Sequence, residues 1–497
     1  MSAPRFAGDV DVVKVEITGD SGSFDITKLT IGIDVYENIF YPFVRGIITV
    51  DDAQDTINKI NFKQTEYLNL EFNTPDKKGY KGKYYIYKID NRSRTNDKKV
   101  IYSIYFSHEA MLHEANSKIA ENFNDKPHTI VQQIIKKSVP KGLEYSDKVE
   151  VEECSNKLQY VSPFWTPCQN IYYLTKLAIS TKNNPAYLFF QNNEGYHFVT
   201  FDKLIEQEPK AKLKQDNFDH SPDSSCTLSN FDEHYERILN IKFPQFFNQG
   251  YEALEGVFKS VMMTYNQFKK TYEEKENDDN YDSTDHLNDS KRMKTPPKVT
   301  KFANKDRRGQ KEQTFDGQED GTNNSTKQNR AAIFARYARG KTTITIFGNS
   351  ELYAGNVVEL DIMKYASLDD GSGSEGTTDE TYSGKYIISA VGHHVNKEKY
   401  ETHLELIRDS FKKSEDEKKQ DPDEKKPDEK KPDEKKPDEK KPDEKKPDEK
   451  APTEKKPADK PSPPPTGKDV PTFSNANDAR RYADITGKPA KWDTSLA

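Results

Sequence analysis

"GKYIISAVGHHVNKEKYETHLEL", residues 384 to 406, repeats in outline an earlier stretch, "GKYYIYKIDNRSRTNDKKVIYSIYF", residues 82 to 106. Gly82-Lys83-Tyr84 matches Gly384-Lys385-Tyr386, and Ile86 matches Ile388. A charged turn follows in both, two residues different in length, and Ile104 and Phe106 then match Leu404 and Leu406. Upstream, "EYLNLEF" (66 to 72) matches "NVVELDI" (356 to 362), with Leu70 opposite Leu360. Apolar residues alternate with polar ones in these stretches, the period of a strand with one buried face. Three strands in the same order imply a duplicated β-module and an α+β, mainly β fold.

Just before the second copy runs "KTTITIFGNSELYAGNVVELDI", residues 341 to 362. Thr343, Thr345 and Phe347 alternate with Ile344 and Ile346, a strand. Gly348-Asn349-Ser350 is expected to reverse the chain so that Asn356 to Ile362 becomes its partner. Gly340-Lys341-Thr342 resembles the end of a phosphate-binding loop, but Ala335 stands where that loop needs glycine, and a β-branched run follows instead of a helix. Ala331 to Arg339 is expected to be a helix that Gly340 closes. Gly371, Gly373 and Gly376 fit GxGxxG only formally, since they lie between two strands. His393 and His394, adjacent on a strand, point to opposite faces, although His403 on the next strand can approach one of them. Cys154, Cys168 and Cys226 are too scattered for a disulfide framework or a four-cysteine zinc site. No catalytic, cofactor-binding or metal-binding residue is predicted.

Of 497 residues, 33 % are apolar and 32 % charged, so part of the chain must stay solvated. That part is plain from Pro422 onward, where P-D-E-K-K repeats put a proline in every fifth position and forbid a continuous helix. An extended, polyproline-like tether is expected there. The formal charge of -7 argues against a general nucleic-acid binder. No apolar core follows the opening MSAPRFAGDVDVV, and no run of 18 apolar residues occurs, so neither a secretion signal nor a membrane span is expected.

The expected domains are a first β-module over residues 1–107, an α+β insert over 108–230, and a split second module over 231–246 and 331–411. The insert is expected to hold helices at Glu109–Asn122, His128–Ser138 and Pro167–Ser180, then a hairpin around Asn192 to Gly195. Residues 247–330 read as a helix, "GYEALEGVFKSVMMTYNQFKKTY", followed by polar loop from Glu273 to Lys327. They are expected to pack with the α+β part. The tether spans 412–467, and 468–497 regains Phe473, Tyr482 and Trp492 with a helix-like stretch, a candidate docking peptide.

In three places the sequence resembles the central baseplate hub subunit of T-even-like contractile-tailed phages. These are "TIFGNSELYAGNVVELDI" with the hairpin after it, "SPFWTPCQNIYYLTKLA" followed by "FDKLIEQEP", and "ILNIKFPQFF". The resemblance covers roughly residues 10 to 410; the 273–327 stretch, the 363–383 loop and the tail lie outside it. It implies two tail-tube-like β-barrel or sandwich domains interleaved with an α+β part, and no catalysis or cofactor. It further implies a homotrimer joining a six-fold tail tube to a three-fold, lysozyme-bearing central spike. Tube and baseplate wedge proteins would surround it, with DNA as passing cargo, in a virion tail assembled in the host cytoplasm. The alternatives are the hub of a phage-like injection or secretion device and, from another class, a cell-wall hydrolase acting at entry.

Overall fold

Every second residue of the first strands is apolar and inward: Ile33 and Val35, Ile48 and Val50, Leu68, Leu70 and Phe72, Tyr102, Ile104 and Phe106 are each at most 1 % exposed. Such burial contributes roughly 1.5–3 kcal/mol per large side chain. The computed structural model describes residues 8–20, 22–60, 62–74, 77–96, 99–215, 235–245, 259–266, 271–278, 286–288, 300–306, 322–338, 340–364, 378–397, 399–410, 472–473 and 491–492. It divides into two units, Met1–Glu424 and Lys425–Ala497.

The first module comprises β1 (Asp11–Gly19), β2 (Gly22–Asp25), β3 (Thr30–Asn38), β4 (Arg45–Asp52), the short helix α1 (Thr56–Ile60), β5 (Tyr67–Thr74), β6 (Lys77–Asn96) and β7 (Lys99–Ser107). Its side chains meet in one core that includes Val15, Ile17 and Tyr84. The α+β insert holds α2 (Ala110–Asn116), β8 (Asn122–Asp125), α3 (Pro127–Lys136), β9 (Val149–Val151), β10 (Leu158–Val161), α4 (Pro167–Thr175), β11 (Tyr187–Asn192), β12 (Gly195–Thr200) and α5 (Phe201–Ile205). α4 starts where predicted: Thr166 accepts from the Gln169 N–H, Gln169 reaches back to the Thr166 N–H, and Pro167 opens the first turn. β13 (Ala211–Lys214), β14 (Ile238–Gln245), β15 (Lys259–Asn266), β16 (Thr271–Asp278), β17 (Thr300–Asp306), α6 (Thr322–Tyr337), β18 (Gly340–Phe347), β19 (Val357–Asp361), β20 (Gly384–Asn396) and β21 (Tyr400–Arg408) complete the body.

One large sheet runs β14-β18-β21-β20-β3-β4-β7-β6-β5-β1-β2, with β19 on β20 and β13 on β19. Two equal orders lie within it: β3-β4-β7-β6-β5-β1 and β14-β18-β21-β20-β19-β13. The duplication holds to the residue. Leu70 pairs with Gly82 as Leu360 pairs with Gly384, and Ile86 pairs with Phe106 as Ile388 pairs with Leu406. The register slips directly after Ile86 and again directly after Ile388, so both copies carry a bulge in one place. The copies part at the end, where β1 joins β5 antiparallel but β13 joins β19 parallel. They also fuse: the far half of β20, Ala390–Asn396, pairs with β3, while its near half pairs with β19.

Several expectations are corrected. Residues 341 to 362 are no hairpin: β18 lies between β14 and β21, whereas β19 lies beyond β20. Gly340 begins β18 and does not close a helix, and α6 is longer than the expected Ala331–Arg339, starting at Thr322. The helix expected up to Tyr272 is strand at Lys259–Asn266, and the polar stretch after it contains β16 and β17, which flank β15. Residues 250–258 and 267–270 of that expectation lie outside the described residues. α2 ends at Asn116, short of the expected Asn122, which already belongs to β8. In the C-terminal unit, β22 (Thr472–Phe473) pairs parallel with β23 (Lys491–Trp492), and the helix-like stretch between them lies outside the described residues.

Candidate functional site: the open sheet face and the joint beside it

The faces of the large sheet differ. While Ile344, Leu404, Val391, Ile33, Ile48 and Ile104 point into cores, the alternate residues Thr343, Glu405, His394, Asp34, Ile47 and Tyr105 stay half-exposed. This open face crosses from the second module to the first without interruption. A groove of about 470 Å³ runs along it, lined by Tyr36, Arg45, Lys242, Thr343, His394 and His403 among others.

Several charges on this face are held in pairs. Lys341 meets Glu405 at 2.5 Å, Lys399 meets Glu401 at 2.6 Å, Lys99 meets Asp51 at 3.0 Å, and Lys88 pairs with Asp90. His394 Nδ1 lies 2.6 Å from Asp34, across the ladder that fuses the modules. Its ring centroid is 4.3 Å from that of His403. Burial, and then the neighbouring His394, hold the His403 pKa below its ordinary value. Arg45 covers the Tyr41 ring at 4.7 Å.

Beneath the face, three parts of the body meet at Glu37. Its carboxylate accepts from the Asn193 N–H of the insert hairpin at 3.0 Å and from the Ala354 N–H of the second module at 3.1 Å. Burial pushes its pKa up to about 8, against the pull of those two donors. Asn192 Nδ2 donates to the Ala354 carbonyl at 3.0 Å, tying the same corner a second time. Sequence reasoning missed Glu37, although a signal exists: it falls in phase with the inward row Ile33 and Val35.

Of the residues weighed from sequence, His394 and His403 are brought together as expected, and the others are not. His393 is fully buried, with Nδ1 2.8 Å from the Tyr400 hydroxyl, and burial lowers its pKa to about 3. His394 lies on the opposite face, as the strand period requires. Cys154 and Cys168 are separately buried thiols, and Cys226 and the Gly371 to Gly376 loop lie outside the described residues. Among the described residues no group of three or more His, Cys, Asp or Glu side chains is placed to hold a metal ion. Nor is any helix among them long and apolar enough to cross a membrane.

The fold thus defines a class: two duplicated, mainly β modules fused into one sheet, with an α+β part interleaved. No family model matches the sequence, and no curated protein matches it. Among solved structures, the chain is similar to a prophage MuSo2 43 kDa tail protein from Shewanella oneidensis, at 8 % identity and TM-score 0.49, over 80 % of this chain and 99 % of that one. It is also similar to a tail protein from Neisseria meningitidis, at 9 % identity and TM-score 0.47, over 80 % and 96 %. A type VI secretion component from Escherichia coli is similar at 8 % identity and TM-score 0.39, over 80 % and 76 %.

Proposed function

We propose that this chain is a structural hub of a contractile-tail baseplate, a homotrimer that adapts a six-fold tube to a three-fold spike. The observation that carries the reading is the duplicated ladder, six strands in one order twice within a chain. Three such chains supply six similar modules, so one ring has near six-fold symmetry from its modules and three-fold symmetry from its chains. The resemblance in residues 10 to 410 supports the same reading. Its partners are then the tail tube and wedge proteins on one side and a lysozyme-bearing trimeric spike on the other, within a virion tail. The open face suits a conduit wall, because lysines such as Lys341 and Lys399 are paired with carboxylates there and the chain is acidic, so passing DNA finds little to bind. The hub performs no catalysis in this reading.

Light scattering on the full chain tests it. A three-fold mass, with end-on micrographs of a ring bearing six lobes, is the expected result. A chain that stays monomeric at micromolar concentration, alone and with spike or tube protein added, overturns it.

A further inference from the structure

Gly392 leaves a gap in the open face, and the ring of His394 fills it. Gly392 stands directly between Tyr36 of β3 and His403 of β21. A Cβ at Gly392 would lie 3.0 Å from His394 Nε2 and 3.5 Å from Tyr36 Cδ1, so the imidazole leans over the glycine, across the strand toward His403. The two rings are in consequence 4.3 Å apart, centre to centre, and inclined at 50°. Two contacts hold His394 in this pose: its Nδ1 lies 2.6 Å from Asp34 Oδ1, and its ring packs against Tyr36 at 73°. A carboxylate only accepts, so Nδ1 carries the proton and Nε2 keeps its lone pair.

We propose that His394 Nε2 and His403 ligate one divalent ion of the zinc type, with water in the groove completing its shell. Neutral imidazole nitrogens suit zinc, nickel and copper, whereas calcium and magnesium take oxygens. Histidines that bind such ions donate their other ring N–H to a carboxylate or carbonyl, which fixes the tautomer and orients the ring. Asp34 already holds His394 in that way. His403 is the adaptable ligand: its side chain is 49 % exposed, and Glu401 Oε2 is 3.8 Å from its Nε2, too far for a hydrogen bond. The groove of about 470 Å³ leaves room for waters at the remaining positions.

Charge around the pair favours a cation. Asp34 and Glu401 stand directly opposite His394 on its two sides. Lys399 takes one oxygen of Glu401 and leaves the other facing His403. The cations lining the groove are farther along the sheet. Arg45, turned onto the Tyr41 ring, and Lys242 are each two strands from the nearer histidine. Once bound, the ion links β21 to β20 directly and to β3 through Asp34, so it spans the ladder that fuses the modules. It needs no second copy of the chain and stands apart from the ring reading.

Zinc chloride titrated into the full chain by calorimetry is expected to show one ion bound per chain. H394Q and H403Q each remove it, and D34N, which keeps both ligands, weakens it about 10–100-fold. Sensitivity to D34N separates a built site from a chance contact, because the chain has ten histidines in all. Melting temperatures without zinc check that each variant folds. A reading without substitution comes from copper(II) added at one equivalent to the wild-type chain, whose electron paramagnetic resonance spectrum is expected to show two nitrogen ligands. Zinc binding that survives either histidine substitution overturns the proposal, as does a copper spectrum with a single nitrogen. Binding lost in H394Q and H403Q but unchanged in D34N keeps the ion and overturns the part given to Asp34. No binding at millimolar zinc removes both. Oligomeric state enters none of these outcomes, so each leaves the hub reading standing.

Discussion

Glu37 holds three parts of the body with one carboxyl group, and its chemistry predicts a pH dependence. Because the folded state binds the Glu37 proton more tightly than the unfolded chain does, stability is greatest below the ordinary carboxylate range. It declines as the pH rises toward about 8. The melting temperature measured between pH 5 and 8 is expected to show this fall, and E37Q is expected to flatten it. E37Q also turns an amide N–H toward one of the two backbone donors, which costs about 1–3 kcal/mol at pH 5 by denaturant titration. Gly46 is a second such residue. A Cβ there would stand 2.3 Å from Phe106 Cζ and 2.4 Å from the Asp34 carbonyl oxygen, so G46A is expected to lower stability by roughly 1–3 kcal/mol. The equivalent position in the second module is Thr342, opposite Leu406, a larger residue facing a smaller one.

Among elements, the strands were the legible part and their neighbours were not. Alternation in 82–106 and 384–406 reveals strands, and the shared Gly-Lys-Tyr aligns them. Alternation carries no record of pairing, so β18 and β19 read as a hairpin although β21 and β20 stand between them. β13 offers only Leu213 as a buried side chain in four residues, too little pattern to notice. Lys259–Asn266 misled because Val261, Met262 and Met263 fit a helix as readily as a strand. The site lay deeper still, because Glu37 is one acidic residue among many until its burial is seen. One further element was invisible: His286-Leu287-Asn288, anchored at the end of β21. His286 Nδ1 lies 2.8 Å from Asp409, the Leu287 and Asn288 N–H groups donate to Asp409 and Ser410, and Asn288 brackets Lys385. Burial raises the Asp409 pKa, but the His286 hydrogen bond and the Arg336 charge outweigh it and hold the carboxyl below its ordinary value. This stabilisation is therefore present above the ordinary carboxylate range, about 4, and is lost as the pH falls below it. D409N is expected to loosen the anchor, read as faster proteolytic cleavage within 281–299 at neutral pH.

At the scale of the whole molecule, charge makes a separate prediction. An acidic chain whose open-face lysines Lys341 and Lys399 meet carboxylates is expected not to retard duplex DNA on a native gel at about 150 mM salt. K341A and K399A remove cations and should leave that unchanged. E401Q/E405Q frees two lysines and is expected to produce weak, salt-sensitive retardation. The seam between the modules also sets an order of events at birth. The first module is continuous in sequence and made of near neighbours, so it can fold as soon as residue 107 emerges. β3 then waits for β20, about 350 residues later. Counted from residue 107 to the end of β20 at Asn396, and at roughly 5–20 residues per second, that is an interval of about 15–60 s in which a fully formed strand edge stands open on the ribosome. The ladder that fuses the two modules thus joins the strands of the sheet that lie farthest apart in sequence, and until it forms a nascent chain has its β3 edge open to the β20 of its neighbour on the same message.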